Sequence, residues 1–207
     1  MVIPIIVSII IISSIIEILV IYQLSKSRQS KRKEYIESLG YKYIGSDKEF
    51  ESSVLKGVVK TNPVLRWLSV RINHVFTYED TEEKRFYFEM YVSNRYYSQK
   101  YFCMLLKDIT LSIPTSQFAI VPRGFLKVFI PKEDAFLRQF IIKPKHVVDN
   151  LPYDLKEQLI RFSSVGIMYK DKELLISKAY SHKELPIEAL KLCEEVYQHI
   201  KTSLQVH

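Results

Sequence analysis

Few side chains in this sequence are of types that do chemistry, and their spacing limits what that chemistry can be. The histidines are His74, His146, His182, His199 and His207. They are scattered through the chain without the close, regular spacing of metal ligands. His74 is the most suggestive, because it sits in a strand-like run and Glu79 and Asp80 follow it. A general base steadied by a carboxylate can be drawn from those residues. An ordinary hydrogen-bonded strand histidine is the commoner arrangement and the better reading. Cys103 and Cys193 lie far apart among apolar neighbours. They read as unpaired, buried thiols in a reducing compartment, with no disulfide framework and no metal site. The chain has no glycine-rich phosphate loop, no H-E-x-x-H, no G-x-S-x-G and no Cys-x-x-Cys. No catalytic, cofactor-binding or metal-binding residue is assigned, and no cofactor is implied.

A second group mixes aromatic and basic residues: Lys84-Arg85-Phe86-Tyr87-Phe88, Arg95-Tyr96-Tyr97 and Lys100-Tyr101-Phe102. Such a run could stack nucleic-acid bases on a sheet. It lacks the glycines of an RNA-recognition motif, and tyrosine and phenylalanine are ordinary strand residues. Core and sheet surface is the better account, with exposed tyrosines as an open option for a protein contact. Charge argues the same way. The chain carries a formal net charge of +7. Residues 1–33 hold five basic residues and one acidic, so more than half of that excess belongs to a short amino-terminal stretch. The remainder is only mildly basic, which makes nucleic acid an unlikely partner.

That stretch is the clearest positive signal. Val2 to Leu24 reads VIPIIVSIIIISSIIEILVIYQL, with Glu17 as its one charge. As a helix it would be about 34 Å long, enough for a hydrocarbon core of roughly 30 Å. Lys26, Arg28, Lys31, Arg32 and Lys33 follow directly. The order is wrong for a cleavable signal peptide, which wants its charge before the apolar core and a small-residue exit after it. It fits a single membrane span with its carboxyl side in the cytoplasm and its amino terminus outside. The basic residues are candidates for contact with anionic lipid. Glu17 would sit inside the span, where an ionisable group is a functional candidate by default. With one span there is no helix bundle in the chain to build a pathway, which favours a side chain that snorkels toward the headgroups. Ser8, Ser13 and Ser14 leave dimerisation open, since their spacing is not the small-x-x-x-small pattern.

The elements that must position these residues follow from periodicity. The basic helix should run through residues 25–40 and end at Gly40. Ser46 to Glu49 reads as a capping box opening a short helix with Phe50, Val54 and Leu55 inside. Alternation of Val70, Ile72, His74, Phe76 and Tyr78 with polar neighbours predicts a half-buried strand, returning through Phe86–Val92. Further strands are expected at Tyr101–Leu106, Phe118–Val121, Leu126–Ile130 and Gln139–Ile142. A helix after Pro152 carries Leu155, Leu159 and Phe162, with Gly166 closing it, and Gly166–Tyr169 pairs with Leu174–Ser177 as a hairpin. Ser181 and Glu184 precede a last helix from Pro186, whose apolar stripe is Ile187, Leu190, Cys193, Tyr197, Ile200 and Leu204. The expected fold class is α+β: a transmembrane anchor at residues 2–24, a basic juxtamembrane helix at 25–40, and a domain at 41–207. In that domain helices pack on a mainly antiparallel sheet.

Several of these pieces occur together in an order that resembles a known group. They are Ser38-Leu39-Gly40-Tyr41-Lys42-Tyr43-Ile44-Gly45 with Phe50 beyond, then Phe76-Thr77-Tyr78, Leu111-Ser-Ile113-Pro114 and Phe118. Val121-Pro122-Arg-Gly124, Phe136 and Phe140-Ile-Ile142 complete the set. The chain resembles a broad group of single-span bacterial membrane proteins with a cytoplasmic α+β domain. The resemblance implies this architecture at the inner membrane and carries no assigned activity. Taken together, the sequence points to a membrane-tethered, non-enzymatic binding or scaffold module contacting a protein or a lipid headgroup. The alternative is an enzyme acting on a membrane-associated substrate through a site without a readable motif.

Overall fold

The structure, a computed structural model, describes residues 2–45, 48–57, 59, 69–79, 83–93, 95, 98–123, 134–162, 164–180 and 186–204. For residues 2–10, 25, 28, 29, 32, 79 and 186 the description is of the backbone alone. The chain forms two compact units, residues 1–41 and 42–207.

The first unit is one helix, α1 (Val2–Ser38), 37 residues long. It ends as a glycine at C′ predicts. Gly40 takes φ +90°, its N–H bonds the Glu37 carbonyl at 3.0 Å, and the Tyr41 N–H bonds the Ile36 carbonyl at 3.3 Å. These are the paired bonds of a Schellman motif, which satisfies carbonyls that the helix end would otherwise leave open. From Ile11 to Leu24 the large apolar side chains are all exposed, by 51–67%. Among the described residues no helix is long and apolar enough to cross a membrane. The span expected at residues 2–24 includes Val2–Ile10, whose side chains lie outside the described set.

The second unit is an eight-stranded sheet in the order β1-β2-β3-β4-β8-β7-β5-β6, with every pairing antiparallel. The strands are β1 (Lys42–Gly45), β2 (Ser69–Glu79), β3 (Lys84–Ser93), β4 (Ser98–Lys107), β5 (Gln117–Pro122), β6 (Phe140–Lys143), β7 (Val165–Lys170) and β8 (Glu173–Tyr180). The helices are α2 (Lys48–Lys56), α3 (Ala135–Gln139), α4 (Val147–Asn150), α5 (Tyr153–Arg161) and α6 (Pro186–Ser203). The α+β expectation and the antiparallel sheet are therefore observed.

Both faces of the sheet are apolar, and the two-residue period of β3 shows why. Phe86, Phe88, Met90 and Val92 share a core cluster with Phe50 and Val54 of α2. Phe50 meets Phe86 and Phe88 with ring centroids 4.8 and 5.6 Å apart. The alternate residues Arg85 and Tyr87 point to the other face, where both bond Glu194 of α6. There α6 packs on β4 and β8, and α5 packs on α6. The stripe expected on α6 is buried at Leu190, Cys193, Tyr197, Ile200 and Leu204, with Val196 beside it. At roughly 1.5–3 kcal/mol per fully buried large apolar side chain, this two-sided burial dominates the stability of the domain.

Three expectations change. The alternation in β2 does not run unbroken from Val70 to Tyr78, because the register with β3 shifts between Asn73 and Phe76. His74 has φ +53°, so two residues stand opposite one and the faces exchange. Val70, Ile72 and Val75 belong to the α2-side core, and Phe76 is buried outside that cluster, its ring beside Tyr43 of β1. The helix over residues 153–161 ends at Phe162, whose N–H caps onto the Gln158 carbonyl. Gly166 lies inside β7, where a Cβ would come within 3.0 Å of Ser177 Oγ on the neighbouring strand. Close backbone approach, not helix termination, is what that glycine serves. The third change is that β1, α3 and α4 are additional short elements. The Ser46 box, the Leu126–Ile130 strand and the Ser181–Glu184 box lie wholly or partly outside the described residues.

Candidate functional site: the basic collar and a partly buried polar network

The candidate anionic-lipid residues Lys26, Arg28, Lys31, Arg32 and Lys33 all lie on α1, beyond its apolar stretch. Successive helix residues turn by about 100°, so these five positions are spread round the whole circumference. They form a collar, not a stripe. The side chains of Lys26, Lys31 and Lys33 are exposed. Lys33 Nζ lies 3.8 Å from Glu37 Oε1, a solvent-exposed (i, i+4) pair, and Ser30 Oγ donates to Glu34 at 3.1 Å. An exposed pair of this kind is worth a few tenths of a kcal/mol, about 0.3–0.5. The exposed side chains of Lys26, Lys31 and Lys33 put positive charge at the helix surface, and those of Arg28 and Arg32 lie outside the described residues.

The catalytic constellation imagined around His74 is not assembled among the described residues. His74 Nδ1 lies 3.4 Å from the Tyr43 hydroxyl on β1, with the two rings stacked at 6.4 Å. The Glu79 side chain and Asp80 lie outside the described set. His146 stands at the N-cap position of α4 without a side-chain capping bond, and His199 of α6 packs its ring 6.1 Å from Phe162. Among the described residues no group of three or more histidine, cysteine or acidic side chains is placed to hold a metal ion.

Both thiols are buried and unpaired, as their apolar settings imply. Burial pushes Cys103 and Cys193 well above the ordinary thiol range, which leaves neither as a ready nucleophile. Among the described residues of the tyrosine-rich strands, Tyr78, Tyr91 and Tyr101 are half-buried, and Tyr96 and Tyr97 lie outside the described set. Tyr87, Tyr169 and Tyr180 are buried, and Tyr180 donates to the buried Glu89 at 2.7 Å. The most exposed described tyrosine of the domain, Tyr153, is on α5.

What sequence reasoning missed is a polar network that fastens α6 to the sheet. Glu83, just before β3, receives Arg85 Nη2 at 2.6 Å and Nε at 2.9 Å. Its other oxygen receives the Tyr197 hydroxyl and Lys201 Nζ, both at 2.7 Å. Arg85 also reaches Glu194 at 3.2 Å and lies over the Tyr197 ring, 5.2 Å from its centroid. The Tyr87 hydroxyl bonds Glu194 and Met104 Sδ. Burial raises the Glu83 pKa, but the hydrogen bonds from Lys201, Tyr197 and Arg85, with the Arg85 charge, outweigh it and hold the carboxyl below its usual range. Both oxygens of Glu83 are occupied and the charges balance, so the network works as a clamp.

On the same face a small apolar void lies between the sheet and α5 and α6. Phe118, Ile120, Leu155, Ile167, Leu174 and Ile200 line it, and it leaves no room for a water molecule. This lining offers no polar group to orient a substrate. Against known protein families, curated proteins and solved structures, the chain gives no match.

Proposed function

We propose that this chain is a membrane-tethered module, held by α1 as a single span, with its α+β domain at the cytoplasmic face. Its role is to bind or scaffold, not to catalyse. The observation that supports this is the exposed apolar surface of α1. Ile11, Ile12, Ile15, Ile16, Ile18, Leu19, Val20 and Ile21 point in every direction around the helix and are each at least half exposed. A helix apolar all round belongs in a protein interior or in lipid. An interfacial helix lying in the membrane plane needs a broad, strongly charged face, and between Ile11 and Ile21 this segment carries one charge, Glu17, beside Ser13 and Ser14.

The adjoining residues fit the same reading. Tyr22 stands at the end of the apolar run, where an amphipathic ring suits the headgroup level. The collar then meets phosphates on every side of an upright helix, and its lysines and arginines place the domain in the cytoplasm. The ligand of the collar is the anionic phospholipid headgroup, and the domain serves a protein partner. The bacterial inner membrane is the location that the sequence resemblance implies.

The test uses the full-length chain in its host membranes. Alkaline extraction should leave it in the membrane pellet. Protease added to vesicles should digest the domain only when the cytoplasmic face is accessible. Release into the alkaline supernatant would sink the reading.

A further inference from the structure

Between Ile11 and Ile21 only three side chains are polar: Ser13, Ser14 and Glu17. At about 100° per residue, Glu17 falls between the two serines, and all three occupy an arc of about 100° on one side of α1. Ser13 and Glu17 are one turn apart at (i, i+4), and Ser14 and Glu17 at (i, i+3). The rest of the circumference at this depth is isoleucine, leucine and valine. Among the described residues Glu17 has no hydrogen bond or ion pair, Ser14 already has an interaction partner, and all three side chains are exposed.

We infer that this face pairs with the same face of a second copy of the chain inside the membrane. The inference rests on the membrane-span reading. In lipid, an unpartnered carboxyl has no water to turn to, so it either finds a donor or carries the cost of its isolation. A parallel pair of identical helices brings equal depths together. The Ser13 hydroxyl of one copy, with Ser14 lining the same face, then comes within reach of the Glu17 carboxyl oxygens of the other. The two-fold axis repeats each bond, because one face carries both donor and acceptor and is self-complementary. A snorkelling Glu17 is less well served. It lies seven residues, about 10 Å along the helix axis, before Leu24. The face is polar where it must be and apolar elsewhere, which suits a partner that is itself a lipid-embedded helix.

The experiment compares full-length wild type with Glu17→Ala, Glu17→Gln, Ser13→Ala/Ser14→Ala and Leu19→Ala in vesicles of mixed neutral and anionic phospholipid. Each carries a fluorescent label on the domain, and energy transfer is followed as the protein is diluted into lipid. Wild type should self-associate, and Glu17→Ala should weaken association about tenfold, the effect of losing two symmetry-related bonds of ordinary strength. The double serine variant should weaken it by a similar factor. Glu17→Gln keeps the acceptor oxygen and should stay within about threefold of wild type. Leu19→Ala, on the opposite face, should leave association unchanged. Glu17→Ala makes the span more apolar, so its retention in the membrane separates loss of pairing from loss of insertion. A wild-type chain that stays in the membrane as a monomer overturns this inference alone. A chain that leaves the membrane on alkaline extraction overturns the anchor reading, and this inference with it. Equal association in wild type and Glu17→Ala also overturns it.

Discussion

Residues 11–24 and the strands of the domain use much the same apolar vocabulary and end in opposite states. In the sheet, Val92, Leu105, Leu175 and Ile176 are fully buried. On α1, Ile15, Ile18, Leu19 and Ile21 are half exposed or more. The difference lies in pattern. In the domain the apolar residues are gathered on faces that an opposing element can cover, such as the stripe of α6 over β4 and β8. On α1 they occupy every direction, and no single packing partner covers a helix on all sides. The first pattern is solved by the chain itself. The second is left exposed among the described residues, which is what the proposed lipid setting of α1 would answer.

Removing residues 2–24 should sharpen that contrast most. The remaining chain should lose membrane association entirely while keeping the cooperative unfolding of the domain, measured by sedimentation and by circular dichroism during denaturation. A truncated domain that aggregates or melts without cooperativity would show that the two regions are not separable. Next in size is a hole in the two-sided core. Phe88→Ala removes a fully buried ring that meets Phe50 edge to face and should cost about 3–5 kcal/mol in denaturant unfolding, with membrane partitioning unchanged.

The clamp on α6 should come third. Glu83→Ala strands Arg85, Tyr197 and Lys201 in a partly buried setting and should cost about 2 kcal/mol. Lys201→Ala, at the more exposed end, should cost under about 1 kcal/mol. The Glu83 carboxyl has a lower pKa folded than unfolded. Its contribution is therefore complete above the unfolded value, near 4.5, and is lost as pH falls through the lower folded value. Glu83→Gln should flatten the acid limb of stability against pH, and an unchanged acid limb would remove Glu83 from the account. The smallest effect belongs to single collar charges. Lys31→Gln should weaken adherence of the α1 collar to anionic vesicles by about 1 kcal/mol, and added salt should shrink that difference.

The parts of the fold legible in the sequence were those with a local period. The stripe from Leu190 to Leu204, the β7–β8 hairpin and the glycine stop of α1 each follow from residues within a few turns of one another. The bulge at His74 was not legible, because strict alternation reads straight through it. Only pairing with β3 shows that two residues stand opposite one. Gly166 was misread for a related reason: a glycine after a helix looks like a stop until the neighbouring strand supplies Ser177. The clamp was invisible because its halves, Glu83 and Arg85 against Glu194, Tyr197 and Lys201, lie more than a hundred residues apart. The collar was the opposite case. Its composition was plain, and the helix added only that the charges surround the axis.

The strand order also sets a schedule for synthesis. β4 completes the amino-terminal meander, yet its second neighbour is β8, which begins about 65 residues later. At roughly 5–20 residues per second, a ribosome needs about 3–13 s to supply that strand. During this interval β4 offers an open edge carrying Phe102, Cys103, Met104, Leu105 and Leu106, all destined for burial. Nascent chains held apart on a surface during those seconds meet fewer matching edges than chains free to collide, so the anchor proposed for α1 would double as protection against misassembly.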